Sequence, residues 1–123
     1  MGDRANIEVR DGDESVFLYT HWSGSEAPEI LRRALDRGEE RWSDSSYLAR
    51  IIFCEMVKGH EMELTGFGIS ATEISATEIS ANKHITVDVP NKSVSIDDYA
   101  PIHFKDYVAS LRMRESTTET ADA

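Results

Sequence analysis

Hydrophobic and polar positions alternate in two stretches near the beginning of the chain. Residues Asn6–Arg10 alternate around Ile7 and Val9, and Val16–Trp22 consists mainly of aromatic and β-branched residue types. The segment 11–14, which reads DGDE, has the composition of a tight turn in which glycine supplies a left-handed backbone. The pattern therefore predicts two strands joined by a hairpin.

The second of these strands has two apolar faces, since successive side chains of a strand point to opposite sides of its sheet. One face carries Val16, Leu18, Thr20 and Trp22, and the other carries Phe17, Tyr19 and His21. We expect one face to pack on helices and the other to pack on a partner or on the rest of the chain.

Two helices follow in the pattern. The first has apolar residues at the three-four spacing of one helical face, namely Ala27, Ile30, Leu31, Ala34 and Leu35. The second begins near Asp44, a capping residue type, and is apolar nearly all the way round as far as Val57. Such a helix is typical of a buried position. The sequence therefore predicts a central buried helix, in which Cys54 behaves as a small hydrophobic residue.

The second half of the chain favours strands. Residues Leu64–Ser70, His84–Val89 and Ser93–Ile96 have strand composition, and Pro101–Met113 has roughly helical spacing of its apolar residues. The predicted element order is ββααβββα. It indicates an α+β fold in which two or three helices cover one face of an antiparallel sheet of about five strands.

Two segments stand outside this pattern. Residues 69–80 read ISATE-ISATE-IS, a repeat whose period matches neither a strand nor a helix. It is either an inert insertion in an exposed loop or a flap that makes contacts. Residues 115–123 hold no large apolar side chain. We therefore expect a single domain over residues 1–114 and a disordered acidic tail over residues 115–123.

Acidic residues outnumber basic ones. The 123 residues include 13 Lys and Arg against 23 Asp and Glu, for a formal net charge of −10. This excess argues against direct binding of nucleic acid, whose phosphates are neutralised by Lys and Arg. The sequence has no apolar run of the roughly 20 residues that a membrane span needs, no signal-peptide pattern and one cysteine. These features predict an acidic cytoplasmic protein with no membrane partner.

The motifs of common enzyme classes are missing from the sequence. It has no phosphate-binding loop, no Cys-x-x-Cys pair, no His-Glu-x-x-His and no Gly-x-Ser-x-Gly. No two histidines are close enough in sequence to suggest a metal clamp. We therefore predict no catalytic residue, no metal and no cofactor. An enzyme that uses Cys54, the histidines or the pair Asp97 and Asp98 is the alternative.

One cation and three rings form the candidate ligand site. Arg50 lies among apolar residues of the second helix, where its guanidinium either pairs with a neighbouring acid or lines a pocket for a phosphate or carboxylate. His21 and Trp22 end a strand, and Phe67 lies between two glycines. Either these rings belong to the core and the glycines mark a bulge, or a flat ligand approaches them. The sequence predicts ligand binding by Arg50, Trp22, Phe67 and His21.

Three segments, in this order, carry a resemblance: Phe17–Gly24 (FLYTHWSG), Tyr47–Met56 (YLARIIFCEM) and Thr65–Ser70 (TGFGIS). Their pattern resembles that of a group of small phage- and prophage-encoded proteins of unknown function, over about residues 6–96. The resemblance implies an accessory viral protein, and small viral proteins of this kind often counter host defence. The repeat and the tail depart from the group.

These observations lead to two functional hypotheses. In the first, a homo-oligomeric protein sequesters a small anionic, nucleotide-derived signal without cleaving it, and a second subunit closes the pocket because a short chain has little depth of its own. In the alternative, the acidic chain is a protein-binding inhibitor or nucleic-acid mimic that blocks a host defence effector.

Overall fold

The computed structural model describes residues 4–22, 24–72, 83–97 and 99–109. Its strands are β1 (Ala5–Asp11), β2 (Glu14–Thr20), β3 (Phe67–Ser70), β4 (Lys83–Asp88), β5 (Ser93–Ile96) and β6 (Ile102–His103). Its helices are α1 (Ala27–Arg37), α2 (Ser45–Met56) and α3, which covers residues 104–109 up to the last residue described. Short 3₁₀ turns at Gly24–Glu26 and Glu39–Arg41 precede α1 and α2.

The six described strands form one mixed sheet in the order β3-β2-β1-β4-β5-β6. Strands β1 and β4 pair in parallel at its centre, from Ala5 opposite Lys83 to Arg10 opposite Asp88, and the other neighbours are antiparallel. The predicted α+β class is confirmed. The sheet expected to be antiparallel, with about five strands, is instead mixed, with six. Hydrophobic alternation identifies strands but not their neighbours, and β1 and β4 are far apart in sequence.

The hydrophobic core lies between one face of the sheet and the helices. Alternate residues of the strands supply Ile7, Val9, Leu18, Ile85, Val87 and Val94, all buried. The helices add Ile30, Leu31, Leu35, Leu48, Ile52 and Phe104 to the same cluster. The face of β2 that carries Leu18 and Thr20 therefore packs on helices, as the alternation of the sequence predicts.

Helix α2 packs by one face only. Leu48, Ile52 and Met56 are buried, whereas Tyr47 and Cys54 are exposed. The prediction of a helix buried all round, with Cys54 inside it, is therefore wrong. The helices pack on one face of the sheet through the common core, and the residues on the outer side of α2, Tyr47, Arg50 and Cys54, are exposed. Ala49 and Phe53, at the borders of the buried face, are partly buried against the core.

Ion pairs connect α1 to α2 at their exposed edge. Arg37 Nη2 lies 3.1 Å from Glu55 Oε1, and Arg33 Nε lies 3.6 Å from Glu55 Oε2. In the connection between the helices, Trp42 Nε1 donates a hydrogen bond of 2.9 Å to the carbonyl of Leu35. The two helices are therefore held by ion pairs at one edge, and the connection between them is fixed to the end of α1 by Trp42.

Several element boundaries differ from the prediction. Strand β3 begins at Phe67, not at Leu64, because the backbone turns at Gly66 with a φ of 97°. The expected helix over Pro101–Met113 begins only at residue 104, because Ile102 and His103 pair with β5 as a short edge strand.

Some predictions fall on residues outside those described. These are the repeat beyond residue 72, Asp98, the domain boundary at residue 114 and the tail 115–123. Within the described ranges, the helices are too short and too polar to cross a membrane.

Candidate ligand site on the polar face of the sheet

The sheet face turned away from the core carries polar and aromatic side chains, and we call it the polar face. On the three central strands its members are Asn6, Glu8, Arg10, Ser15, Phe17, Tyr19, His84 and Thr86. They occupy the strand positions between the core residues Ile7, Leu18 and Ile85, so they point to the opposite side of the sheet. The two apolar faces of β2 thus have different roles: one is core, and the other joins this polar surface.

A hydrogen-bonded network around Glu8 connects three strands across the polar face. Ser15 Oγ donates to Glu8 Oε2 at 2.6 Å, and Arg10 Nε donates to the same oxygen at 3.1 Å. His84 Nε2 donates to Glu8 Oε1 at 3.0 Å. The ring of Phe17 meets His84 edge to face, with centroids 6.1 Å apart. The Glu8 side chain is only 9% exposed, and both of its carboxylate oxygens accept hydrogen bonds from the protein.

The environment of Glu8 sets its charge. Burial raises the pKa of this carboxyl, but hydrogen bonds from Ser15, Arg10 and His84 outweigh burial, so the pKa lies below the ordinary value of 4.5. Glu8 is consequently ionised at neutral pH and offsets the charge of Arg10. This network holds the sheet together and leaves no unpaired Glu8 oxygen for a ligand.

The end of the polar face nearest the last residue of β2 gathers several rings and a cation. Arg4 Nε donates to His21 Nδ1 at 3.1 Å, and the Tyr19 hydroxyl lies 3.1 Å from the same nitrogen. His21 Nδ1 is therefore the acceptor of the hydrogen bond from Arg4. The ring of Trp22 meets that of His21 edge to face, with centroids 4.4 Å apart. We call this group of four residues, Arg4, Tyr19, His21 and Trp22, the ring cluster.

Gly66 supports Trp22 from the neighbouring strand. The amide of His21 donates to the carbonyl of Gly66 at 2.8 Å, which joins the end of β2 to the turn before β3. A Cβ atom at Gly66 would lie only 2.7 Å from Trp22 Cδ1, so the indole rests on a backbone that has no side chain. The space that Gly66 leaves by lacking a side chain is thus filled by the indole of Trp22, not by a flat ligand. The indole nevertheless remains 56% exposed.

Phe67 lies on the other side of the sheet from His21. It pairs with Thr20, whose side chain is in the core, and it packs against the core cluster as a partly buried residue. The ring of His60 covers it, with centroids 5.7 Å apart. Phe67 thus contributes to the core, and the neighbouring Gly66 leaves room for the indole of Trp22.

Arg50 lies away from the ring cluster. Leu48 and Ile52, two positions before and after it, face the core, so Arg50 points outward from α2 by helical geometry, and its side chain is exposed. Its guanidinium Nη1 lies 3.7 Å from the thiol of Cys54. Among the described residues no carboxylate pairs with it. The structure therefore brings His21 and Trp22 together, with Phe67 beneath the sheet and Arg50 on the outer surface of a helix.

Three clefts on the described surface have volumes of about 190, 230 and 360 Å³. None of these three is lined by any of the four predicted site residues. The cleft next to the start of α2 has two acids, Asp11 and Glu14, and no cation in its lining, so it does not suit an anion. Within the described ranges no group of three or more His, Cys, Asp or Glu side chains could hold a metal ion. The ring cluster is open to solvent at Trp22, which is 56% exposed.

The register of the predicted hairpin carries a signal for Arg4. A two-residue turn at Gly12 and Asp13 pairs Asp11 with Glu14, and the register continues to Ala5 opposite Thr20. One step further along both strands, Arg4 falls opposite His21, where the structure places their hydrogen bond. Counting the hairpin register back from its turn would have identified the cation beside the rings.

Comparison of the chain with models of protein families, with curated proteins and with solved structures gives no match. The resemblance to small phage-encoded proteins therefore stays a prediction, and the functional argument rests on the geometry of the site.

Proposed function

We propose that this protein binds a small anionic, nucleotide-derived molecule at the ring cluster and holds it without cleaving it. The observation that supports this most is the half-exposed indole of Trp22, held against His21 next to the guanidinium of Arg4. An exposed ring face can stack on a nucleobase, a contact worth about 1–3 kcal/mol in nucleic-acid systems. A guanidinium offers parallel N–H donors that match a phosphate or a carboxylate.

The charge distribution favours a small anion over a polymer. The formal net charge of −10 repels a long polyanion over its whole length. At physiological ionic strength this repulsion is screened beyond about 8 Å. A ligand small enough to contact only the ring cluster therefore meets the field of Arg4 more than that of the distant acids.

The shallow form of the ring cluster leads to the oligomeric part of the proposal. A site in which the main ring is 56% exposed buries only one side of a ligand. Small-molecule sites usually bury most of the ligand surface. We propose that a second copy of the chain covers the other side. With the resemblance to phage-encoded proteins, the ligand would be a signal of host defence and the protein would sequester it.

A thermal-shift screen with cyclic nucleotides and ADP-ribose derivatives tests this proposal. A ligand at about 100 times its Kd stabilises the folded state by about 2.7 kcal/mol, which for a domain of this size raises Tm by about 10 °C. Mass spectrometry of the ligand released by denaturation distinguishes capture, which returns it intact, from turnover. A well-folded sample that shows no shift with any of these compounds contradicts the proposal.

Two arginine variants locate the site. Arg4→Gln removes the cation of the ring cluster, and Arg50→Gln is the matched control on the outer side of α2. We expect the shift to disappear in Arg4→Gln and in Trp22→Ala and to persist in Arg50→Gln. Loss in Arg50→Gln with retention in Arg4→Gln would instead move the site to the position that the sequence pattern indicated.

A further inference from the structure

The segment from His60 to Leu64, which reads HEMEL, exposes two large apolar side chains almost completely. Met62 is 91% exposed and Leu64 is 98% exposed. Single exposed apolar residues are normal on protein surfaces. Two of them at alternate positions of one turn form a small apolar projection that the protein's own described contacts do not use. We call residues 60–64 the Met62 turn.

The Met62 turn is held in place from inside the protein. The amide of His60 donates to the carbonyl of Val57 at 2.7 Å, and the amide of Glu63 donates to the carbonyl of His60 at 3.1 Å. His60 Nδ1 also lies 2.7 Å from Glu63 Oε2, and the His60 ring packs on Phe67. His60 therefore anchors the turn to the sheet while Met62 and Leu64 point to solvent. A preorganised segment loses less conformational entropy when a partner binds it.

Carboxylates flank the apolar pair. Glu61 and Glu63 alternate with Met62 and Leu64, and both are exposed. Backbone amides of Glu61 and Gly59 hydrogen-bond the Glu61 carboxylate and keep its pKa below the ordinary value, so it is ionised at neutral pH. The turn thus presents two exposed apolar side chains beside two carboxylates, of which Glu63 also contacts His60.

We propose that the Met62 turn docks into an apolar groove rimmed by Lys and Arg on a partner protein. The apolar side chains would fill the groove, and the carboxylates would face its basic rim. Charge complementarity selects this occupant over the same turn of a second copy, because that turn would bring the exposed Glu61 and Glu63 of both chains to the same contact. The surface is small, so the complex belongs to the weak, transient class. The inference does not depend on the ring cluster.

A defined probe tests this surface. The probe is a short fluorescein-labelled peptide of alternating Lys and Leu, and the readout is its anisotropy against the full chain. The double variant Met62→Ser with Leu64→Ser removes the apolar pair, and Tyr99→Ser, which alters an exposed ring elsewhere, is its control. We expect Kd to rise at least about tenfold in the double variant and to stay unchanged in Tyr99→Ser. Equal Kd values for the three proteins overturn the proposal.

A second pair of variants separates local charge from overall charge. Glu61→Gln with Glu63→Gln removes two charges at the turn, and Asp11→Asn with Asp13→Asn removes two from the exposed β1–β2 turn at the opposite end of the strands. We expect a several-fold loss of affinity only in the first pair, with the difference shrinking between about 50 and 200 mM salt. Equal losses in both pairs would show attraction by net charge alone and overturn the proposal.

Sedimentation tests whether the turn binds a second copy of the chain. A dimer that is abolished by Met62→Ser with Leu64→Ser would assign the turn to a second copy and would also overturn the proposal.

Discussion

The contact between Gly66 and Trp22 allows a quantitative prediction for Gly66→Ala. A methyl group at this position would lie 2.7 Å from Trp22 Cδ1, closer than carbon atoms approach without displacement. The backbone φ of 97° adds a second cost, since an L-residue in this region is disfavoured by about 1–2 kcal/mol. The indole is half exposed and can move, so its displacement adds about 1 kcal/mol of lost contact. We expect Gly66→Ala to lower the free energy of unfolding by about 2–3 kcal/mol.

Gly59→Ala is the matched control for the backbone part of this cost. Gly59 has a φ of 88°, and no heavy atom lies within 4 Å of the Cβ that an alanine would place there. Urea denaturation of the two variants therefore separates strain from overlap: Gly59→Ala carries the strain alone, and Gly66→Ala carries both. The emission of Trp22, measured in a Trp42→Phe background, should also shift towards that of a fully solvated indole in Gly66→Ala. If Gly66→Ala is no more destabilised than Gly59→Ala, the contact with Trp22 is not restrictive and the reasoning is refuted.

Four further predictions concern other parts of the molecule. Glu8→Leu should lower the free energy of unfolding by about 1–3 kcal/mol, because Ser15 and His84 lose their acceptor on the polar face. In the wild type, the lowered pKa of Glu8 means that this carboxylate contributes its full stabilisation above its ordinary pKa of 4.5, and urea titrations should show that contribution lost as the pH falls through the folded-state value. Tyr107→Phe should cost about 1 kcal/mol in thermal unfolding, since its hydroxyl donates a 2.6 Å hydrogen bond to the carbonyl of Pro28. Cys54 should react with a thiol reagent in the native protein nearly as fast as in urea, and strong protection would contradict its exposed position on α2.

The elements set by local pattern could be predicted, and their neighbours in space could not. The alternation around Ile7 and Leu18 and the helical spacing from Ala27 to Leu35 depend on residues close in sequence, and the structure has β1, β2 and α1 there. The parallel pairing of β1 with β4 depends on a contact between distant segments, which periodicity does not encode. The prediction that α2 is buried on all sides fails for a related reason. An apolar residue is buried only if another part of the chain packs over it, and residue type alone does not show this.

The candidate site was predictable to a similar extent. Trp22 and His21 stand out because a strand that ends in two rings is visible in the local sequence. The apolar residues around Arg50 predict a buried guanidinium, but Arg50 lies on the outer side of α2 and is exposed. Arg4 required the register of the hairpin, and the role of Gly66 required knowing which side chain crosses from the neighbouring strand. The position of Arg4 and the role of Gly66 both depend on which strands pair and in which register, and amino-acid composition does not show this.

The parallel pair at the middle of the sheet also has a consequence for the order in which this protein acquires its structure. During synthesis the β1–β2 hairpin and the first two helices emerge long before Lys83, the residue that pairs with Ala5. Until then one edge of β1 has no partner strand, and it offers unpaired amides and carbonyls to other chains. Contacts between such distant segments slow folding because a long loop must close first. Aggregation of nascent chains should therefore be most frequent in fragments that end before β4, and should fall sharply once β4 has been made.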